Sequence, residues 1–402
     1  MKIIVLAGGS DQIALIHELK SRGHEVILVD YLKNPPAKGY TDKHIVASTL
    51  DVEAVRDIAL RENVGLICTA CTDQALLTMA KVSEDLSLPC YISYETARNV
   101  TNKSYMKKIM FEHDIPTAKY TILDGYKADV LNSFQYPLVV KPVDCNSSKG
   151  VRKVHNQEDL FLSLDSAIGF SRTHTAIVEE FKSGTEISAD FYVDGDIVKL
   201  LCVTKSIKKQ HVDSFTIIGS YYPAVNAEQE KTLLKIAYQI VNAFSLKNTP
   251  LLVQLIQQED DFYVVEFSAR MGGGSKYKLI EVLSGVNIMS AYVDLILGDK
   301  PSICPQPQVQ CAAMIYLYCK PGIFHQLCGL QELQATSHVQ NYFVYKTPGM
   351  AVTKSETSGD RVAGYLVTSS DEVELQQKIA YIDSRIQILD ENGNDIMLHS
   401  WQ

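Results

Sequence analysis

In "YVVEFSARMGGGSKY", residues 263–277, an apolar run ends in Glu266, with Ser268, Arg270 and three glycines behind it. Gln254 stands twelve residues before Glu266, across an acidic turn at residues 259–261. In an antiparallel pair two such side chains sit close together on one face. An amide oxygen and a carboxylate suit Mg²⁺, a hard cation that takes oxygen ligands and keeps waters. Arg270 would then meet a phosphoryl group, because its planar fork matches phosphate oxygens.

Two other stretches fit the same chemistry. Lys141 ends the apolar run "PLVVKP", and a lysine at the end of a buried strand is costly unless it meets an anion. The loop "CNSSKGV" follows, with Asn146, Ser147, Ser148, Lys149 and Gly150. It offers hydroxyls, backbone N–H groups and a cation to phosphate oxygens. It is not a Walker A loop, and taken alone it reads as a polar surface turn. "IVEEFKSGTEIS" runs through Glu179, Glu180 and Phe181 into a glycine turn and then Glu186. Free backbone groups there would suit a purine edge and a carboxylate would suit ribose hydroxyls; the plainer reading is an acidic hairpin corner.

Two further features carry less. The turn "AGGSDQ" lacks the full G-x-G-x-x-G, and Asp11 would put negative charge where a pyrophosphate lies. It reads as a tight strand-to-helix turn. Cys68 and Cys71 have no second Cys or His pair nearby, so they read as buried small hydrophobes.

The elements that must position these residues follow from periodicity. Residues 1–95 alternate strands at 2–7, 25–29, 44–47, 64–69 and near 90–92 with helices at 11–22, 51–62 and 73–87. That pattern predicts a parallel sheet with helices on both faces. Residues 96–112 read as one helical segment, and 117–180 as a small α+β unit. A hairpin is expected at 186–203, turning at Asp194-Gly195-Asp196, and a helix at 226–245. A strand pair carries Gln254 and Glu266, and a helix fits 276–298. Residues 308–402 read as mostly β, with a helix at 371–383.

Composition bounds the rest. A chain of 402 residues is too long for one core. Hydrophobic content of 46% and charged content of 21% are those of a soluble globular protein. A net charge of −9 argues against a nucleic-acid binder working by charge. No apolar run reaches the roughly 18–20 residues a membrane span needs. Nine scattered cysteines suggest reduced thiols, hence a cytoplasmic protein.

Five pieces in this order resemble the ATP-grasp superfamily, ligases that use Mg-ATP to activate a carboxylate. They are "TNKSYMKKIMFEHDIPTAKY", "PLVVKP" with "NSSKG", "EEFKSGTEIS", "HVDSF" and "VVEFSARMGGG". The resemblance implies an α/β and α+β chain: a Rossmann-like pre-ATP-grasp domain at 1–95, an ATP-grasp domain at 96–300 with a mobile lid at about 117–180, and a small, mostly β C-terminal domain at 301–402. It implies ATP and Mg²⁺ as cofactors, with Mn²⁺ as an alternative. Lys103 and Lys141 would hold phosphates, with Ser147, Ser148 and Gly150 in the loop closing over them. Glu179, Glu180 and Phe181 would receive adenine, Glu186 the ribose, and His211 would lie near the phosphates. Gln254, Glu266 and Ser268 would hold the metal, and Arg270 with Lys141 would act on the transferred phosphoryl group.

The chain departs from the family pattern twice. Gln254 stands where an acid is usual, and Ser268 where Asn is usual. Fewer negative ligands weaken Mg²⁺ binding unless ATP supplies the charge. The implied partners are a small-molecule carboxylate, such as an amino acid, and an amine, with a homodimer as a form common in the family. The alternatives are a purine-pathway ligase acting on a phosphoribosyl amine and a non-catalytic ATP-binding module.

Overall fold

The computed structural model describes residues 1–145, 149–209 and 215–399. Near the N-terminus four parallel strands form one sheet in the order Lys43–Val46, Glu25–Asp30, Lys2–Leu6, Leu66–Cys68. Helices Asp11–Ser21, Val52–Glu62 and Asp73–Asp85 connect and cover them. The strand expected near 90–92 does not form. Pro89 has no N–H for a ladder. Ser93 then commits the chain to the helix Tyr94–Thr101, its side chain accepting from Thr96 N–H.

Two long helical readings each divide into two. The segment 96–112 breaks at Asn102, whose side chain accepts from Ser104 N–H and starts the helix Lys103–Glu112. The segment 276–298 breaks at Gly285, which closes Lys276–Ser284 with φ of 72°. Asn287 then caps Ile288–Leu297. Periodicity finds the apolar faces of such helices, whereas single capping residues decide where they stop.

A second, four-stranded antiparallel sheet follows the order Tyr120–Leu123, Ala176–Glu180, Leu138–Pro142, Arg152–Val154. Helix Gln157–Phe170 packs on it around Leu160 and Leu164.

The largest sheet holds nine strands. Along its path run Asp261–Ser268, Thr249–Gln258, Thr185–Asp194, Ile197–Lys208, Ile217–Tyr222, Cys311–Cys319, Ala363–Ser369 and Asn341–Val344. The hairpin turning at Gly195-Asp196 is longer than expected, and Ile217–Tyr222 was not anticipated. Ile217–Tyr222 pairs with Cys311–Cys319, so one sheet joins the middle of the chain to its C-terminal part. Alternation along its strands separates two faces. Ile187, Ala189, Phe191, Val253 and Leu255 are buried in a core with helix Ala227–Ala243. Ser188, Asp190, Gln254 and Glu266 point the other way. Among the described residues no single helix is long and apolar enough to cross a membrane.

Candidate active site

The polar face of the large sheet floors a cleft of about 420 Å³. The four-stranded antiparallel sheet walls one end through Val139, Lys141 and Glu179–Phe181. The N-terminal part contributes Asp11, Cys71 and Asp73 at the other, with Gly272, Gly273, Gly274, Tyr316 and Arg361. Ser188, Gln254 and Glu266 occupy one row across three strands, and Asp190, Leu252 and Ser268 the next. The register shifts between Gln254 and Leu255, an irregularity that re-aims side chains beside sites.

Cations and acids meet in pairs at the first end. Lys141 Nζ lies 2.7 Å from one Glu179 oxygen and Lys107 Nζ 2.9 Å from the other. All three groups are buried. Burial alone would raise the Glu179 carboxyl, but Lys107 and Lys141 hold it down at about 2. Burial outweighs Glu179 at Lys107 and lowers that ammonium. Lys107 also donates to Thr117 Oγ1 and Val264 O. It was not anticipated from sequence. Its signal was its place four residues after Lys103, on the same helix face.

Lys103 Nζ donates to Cys145 O at 2.7 Å and lies 3.1 Å from Glu266 Oε2. Against burial, Lys103 and Lys141 hold the Glu266 carboxyl below its usual range. Gln254 faces Glu266 directly across the two strands. Among the described residues no group of three or more His, Cys, Asp or Glu is placed to hold a metal. The oxygen set is therefore one carboxylate and one amide, with the Ser268 hydroxyl one row on. It fits a hard cation only in the form that takes most of its remaining ligands from substrate phosphates and water.

Ser268 is turned toward a different partner. It lines a small side pocket with Asp73, Lys103 and Glu266. Asp73 begins the helix Asp73–Asp85 and accepts from Arg270 Nε at 2.8 Å and from Arg270 Nη2. Burial would raise the Asp73 carboxyl; Arg270, Ser268 and Lys103 outweigh it and hold it low. Arg270 Nη1 donates to Met271 O at 2.6 Å. Three of its five N–H donors are thus engaged within the protein, leaving two for a ligand.

The adenine expectation needs one correction. Glu180 N–H donates to Lys119 O and Phe181 N–H to Pro137 O, each at 3.0 Å. Neither is open to a purine, because strand pairing extends through the hinge. Lys182 N–H is the first without a partner among the described residues, and Lys182 lines the cleft. Glu186 is paired with Lys208 Nζ at 2.7 Å. Gly150 lies outside the cleft lining and backs onto Pro142 and Phe170. Ser147, Ser148 and His211 lie outside the described residues.

The glycine loop is held from two sides. Asp11 accepts from Gly274 N–H at 3.0 Å and Ser275 N–H at 2.8 Å. Tyr316 O–H donates to Gly274 O at 3.2 Å. Beneath the loop Lys276 Nζ lies 2.6 Å from Asp190 Oδ2 and donates to Ser188. Asp11 therefore serves this loop and not a nucleotide turn. The turn after the first strand is closed by Asp30, which accepts from Gly8 N–H at 2.7 Å. Cys68 and Cys71 are both free, Cys68 buried and Cys71 partly so.

Residues 101–274 match the sequence profile of the phosphoribosylglycinamide synthetase ATP-grasp (A) domain. The phosphoribosylamine–glycine ligase of Caldanaerobacter subterraneus is 24% identical over 409 residues, covering 95% of each chain. The L-amino acid ligase from Bacillus licheniformis superposes with a TM-score of 0.80 at 19% identity, over 97% of this chain and 99% of that one. Phosphoribosylglycinamide synthetase from Anaerococcus prevotii superposes with a TM-score of 0.76 at 17% identity, over 97% and 99%. At these identities the superpositions establish the fold alone.

Proposed function

We propose, from the match of residues 101–274 to an ATP-grasp domain and the likeness to a ligase along nearly the whole chain, that the chain is an ATP-grasp ligase forming C–N bonds, and that it joins the carboxylate of an amino acid to an amine through an acyl phosphate. One observation carries the reading. A single cleft holds the Lys107–Glu179–Lys141 cluster at one end, the Lys103–Glu266 pair with Arg270 and Asp73 next to it, and the glycine loop beyond. Cations for a polyphosphate and a glycine loop with an arginine beside it thus line one space.

In this reading residues 1–95 are a Rossmann-like pre-ATP-grasp domain and 96–300 the ATP-grasp domain. Residues 301–402 form the C-terminal domain, and the antiparallel sheet within 117–180 is the lid. Glu179 to Lys182 border the adenine, and Glu186 takes the ribose. Lys103 and Lys141 face the phosphates. Gln254 and Glu266 would hold Mg²⁺, which supplies charge neutralisation at phosphate oxygens.

Lys103 and Lys141 draw charge from the γ-phosphoryl group as the substrate carboxylate attacks its phosphorus. The new carboxyl O–P bond forms as the bond to the β-phosphate oxygen breaks, and ADP leaves. Arg270 uses its two remaining donors to orient the acyl phosphate. The amine then attacks the acyl carbon; the C–N bond forms, the C–O bond to phosphate breaks, and the proton from the amine passes to the departing phosphate. Positioning and electrostatics supply most of the catalysis. The lid keeps water from the acyl phosphate.

A second reading, a ligase acting on a phosphoribosyl amine, is favoured by the full-length likeness to a phosphoribosylamine–glycine ligase. Purified protein with Mg-ATP and a panel of amino-acid pairs separates them. ADP and phosphate release with some pair supports the first reading. Release only with phosphoribosylamine and glycine moves the assignment to the second. ATP binding without turnover on either panel makes the chain a non-catalytic nucleotide-binding module.

A further inference from the structure

The stem of Lys276 passes beneath the glycine loop to the floor of the cleft. A Cβ on Gly272 would fall 2.9 Å from Lys276 Cδ, so the loop carries no side chain where the stem runs. Lys276 Nζ ends on the strand Thr185–Asp194, 2.6 Å from Asp190 Oδ2, and donates to Ser188 Oγ. Two of its three N–H donors thus have partners among the described residues. One donor remains, and Lys276 lines the cleft.

Stability does not account for this arrangement. Leu279, Ile280 and Leu283 already seat the helix Lys276–Ser284 in a core with Tyr292 and Tyr316. A cation in the first turn opposes the helix dipole. A buried ion pair commonly stabilises no more than well-packed apolar side chains of similar volume. Ser275, one residue earlier, is held at φ of 59°, a left-handed backbone that persists only where its surroundings fix it. Asp11 accepts from Ser275 N–H at 2.8 Å, and Tyr345 O–H donates to Ser275 Oγ at 3.3 Å. Burial would lower the Lys276 ammonium, but Asp190 outweighs it and holds it above its ordinary value. The group therefore stays charged.

Register places it relative to the metal residues. Ser188, Gln254 and Glu266 share one row, and Asp190, Leu252 and Ser268 the next. Lys276 Nζ touches the first member of each row. A group bound there lies one strand spacing, about 5 Å, beyond Gln254 on the side away from Glu266. That is beside the phosphoryl group that Gln254 and Glu266 would hold with Mg²⁺, and beneath the glycine loop.

We propose that Lys276 receives the carboxylate that is activated, holding one oxygen on its remaining N–H while the other faces the phosphoryl group. The inference rests on the ligase reading of the cleft. A lysine is a point charge with no fork, so it takes one carboxylate oxygen and leaves the second free to attack. Lys276 stays protonated as the carboxyl O–P bond forms and the bond to the β-phosphate oxygen breaks. Asp190 keeps the ammonium charged before substrate arrives.

The test is calorimetry on the full chain with Mg²⁺ and a non-hydrolysable ATP analogue, using a panel of L-amino acids and their amides as probes. Wild type is expected to prefer an acid over its amide. Lys276→Met keeps the stem without the charge, and weakens binding of that acid roughly 10- to 100-fold with analogue affinity unchanged. Lys276→Met/Asp190→Asn leaves no acid unpaired, is expected to lose the same preference, and serves if the single variant does not fold. Asp190→Asn breaks the same pair but keeps the cation, and is expected to keep the preference. Equal loss in Asp190→Asn and the lysine variants would show that the pair acts only through the fold, and overturns the proposal. So do an unchanged preference without Lys276, a matching loss of analogue affinity, which puts the lysine on the nucleotide, and no binding of any acid. ADP release with Mg-ATP is followed on the same variants. Turnover with a Lys276-independent preference defeats this proposal alone, and Lys276-dependent acid binding without turnover defeats the ligase reading alone.

Discussion

Lys103 Nζ and Glu266 Oε2 stand 3.1 Å apart, so the cation assigned to phosphate and the acid assigned to metal neutralise each other. Binding of Mg-ATP would replace that pair by two new ones, Lys103 with phosphate and Glu266 with the cation. Glu266→Gln keeps the shape and removes the charge. ADP-release turnover is expected to fall about 100-fold or more, with a higher Mg²⁺ requirement. Full turnover in this variant would remove the proposed metal site. Because Lys103 and Lys141 keep the Glu266 carboxyl below its ordinary range, loss of activity on mild acidification is expected to come from another group.

Glu179 links the site to stability. Its carboxyl is held at about 2 against an ordinary 4.5. A depressed acid contributes stability that is complete above its unfolded value and is lost as pH falls through its folded value. The window is therefore pH 4.5 down to about 2. The gross contribution is on the order of 3 kcal/mol, part of which the lowered Lys107 ammonium offsets. Glu179→Gln leaves two buried ammonium groups without their acid. It is expected to cost about 3–5 kcal/mol at neutral pH and to flatten the acid limb. Urea unfolding at several pH values measures both. An unchanged acid limb in the variant would show that other carboxylates govern it.

The contrast between what was and was not legible in the sequence is physical. Gln254 and Glu266 could be read as neighbours because strand pairing across a short turn is local, and the register places them opposite each other. Lys141 could be read from the cost of ending an apolar strand in a cation. Asp73, Asp190, Lys276 and Arg361 could not. Their partners lie 197 residues away for Asp73–Arg270 and 86 for Asp190–Lys276, and no local period encodes such meetings. The parallel N-terminal sheet was legible from alternation. The breaks at Asn102 and Gly285 were not, because one capping residue outweighs a continuing apolar face. The single sheet shared with the C-terminal part depends on Ile217–Tyr222, whose pairing with Cys311–Cys319 is long-range.

Asp73 and Arg270 give a prediction of their own. The two-donor pair fixes the guanidinium plane and leaves two N–H groups free. Asp73→Asn retains the size but weakens the pair and frees Arg270 to turn. Turnover is expected to fall roughly 10- to 100-fold with little change in ATP affinity, since Asp73 sits away from the hinge. Steady-state kinetics with varied ATP and varied acceptor separates the two effects. A loss confined to the ATP KM would contradict the placing of Arg270 at the acyl phosphate.

Gly274 and Gly273 differ in what a methyl would meet, and that difference tests the loop. Gly274 has φ of 74°, and an added Cβ would fall against Arg361 Nη1 and 3.0 Å from the Tyr316 ring. Gly273 has no left-handed φ, and its nearest neighbours, Cys71 O at 3.4 Å and Asp11 Oδ2 at 3.5 Å, are at ordinary contact distance. Gly274→Ala is therefore strained twice, by its backbone and by its neighbours, at a cost of about 1–3 kcal/mol. The Arg361 guanidinium stacks 3.6 Å from the centroid of the Tyr316 ring, so relieving that strain moves the cation off its ring. Acceptor KM is expected to rise in Gly274→Ala by about tenfold or more, with ATP KM unchanged. Gly273→Ala is expected to melt within about 0.5 kcal/mol of wild type. Thermal unfolding and acceptor kinetics on the two variants decide it. If both behave alike, the close approach of Gly274 to Arg361 has no part in the site. If only Gly274→Ala loses acceptor binding, the loop and the guanidinium form one surface, with the glycine there because nothing larger leaves the cation in place.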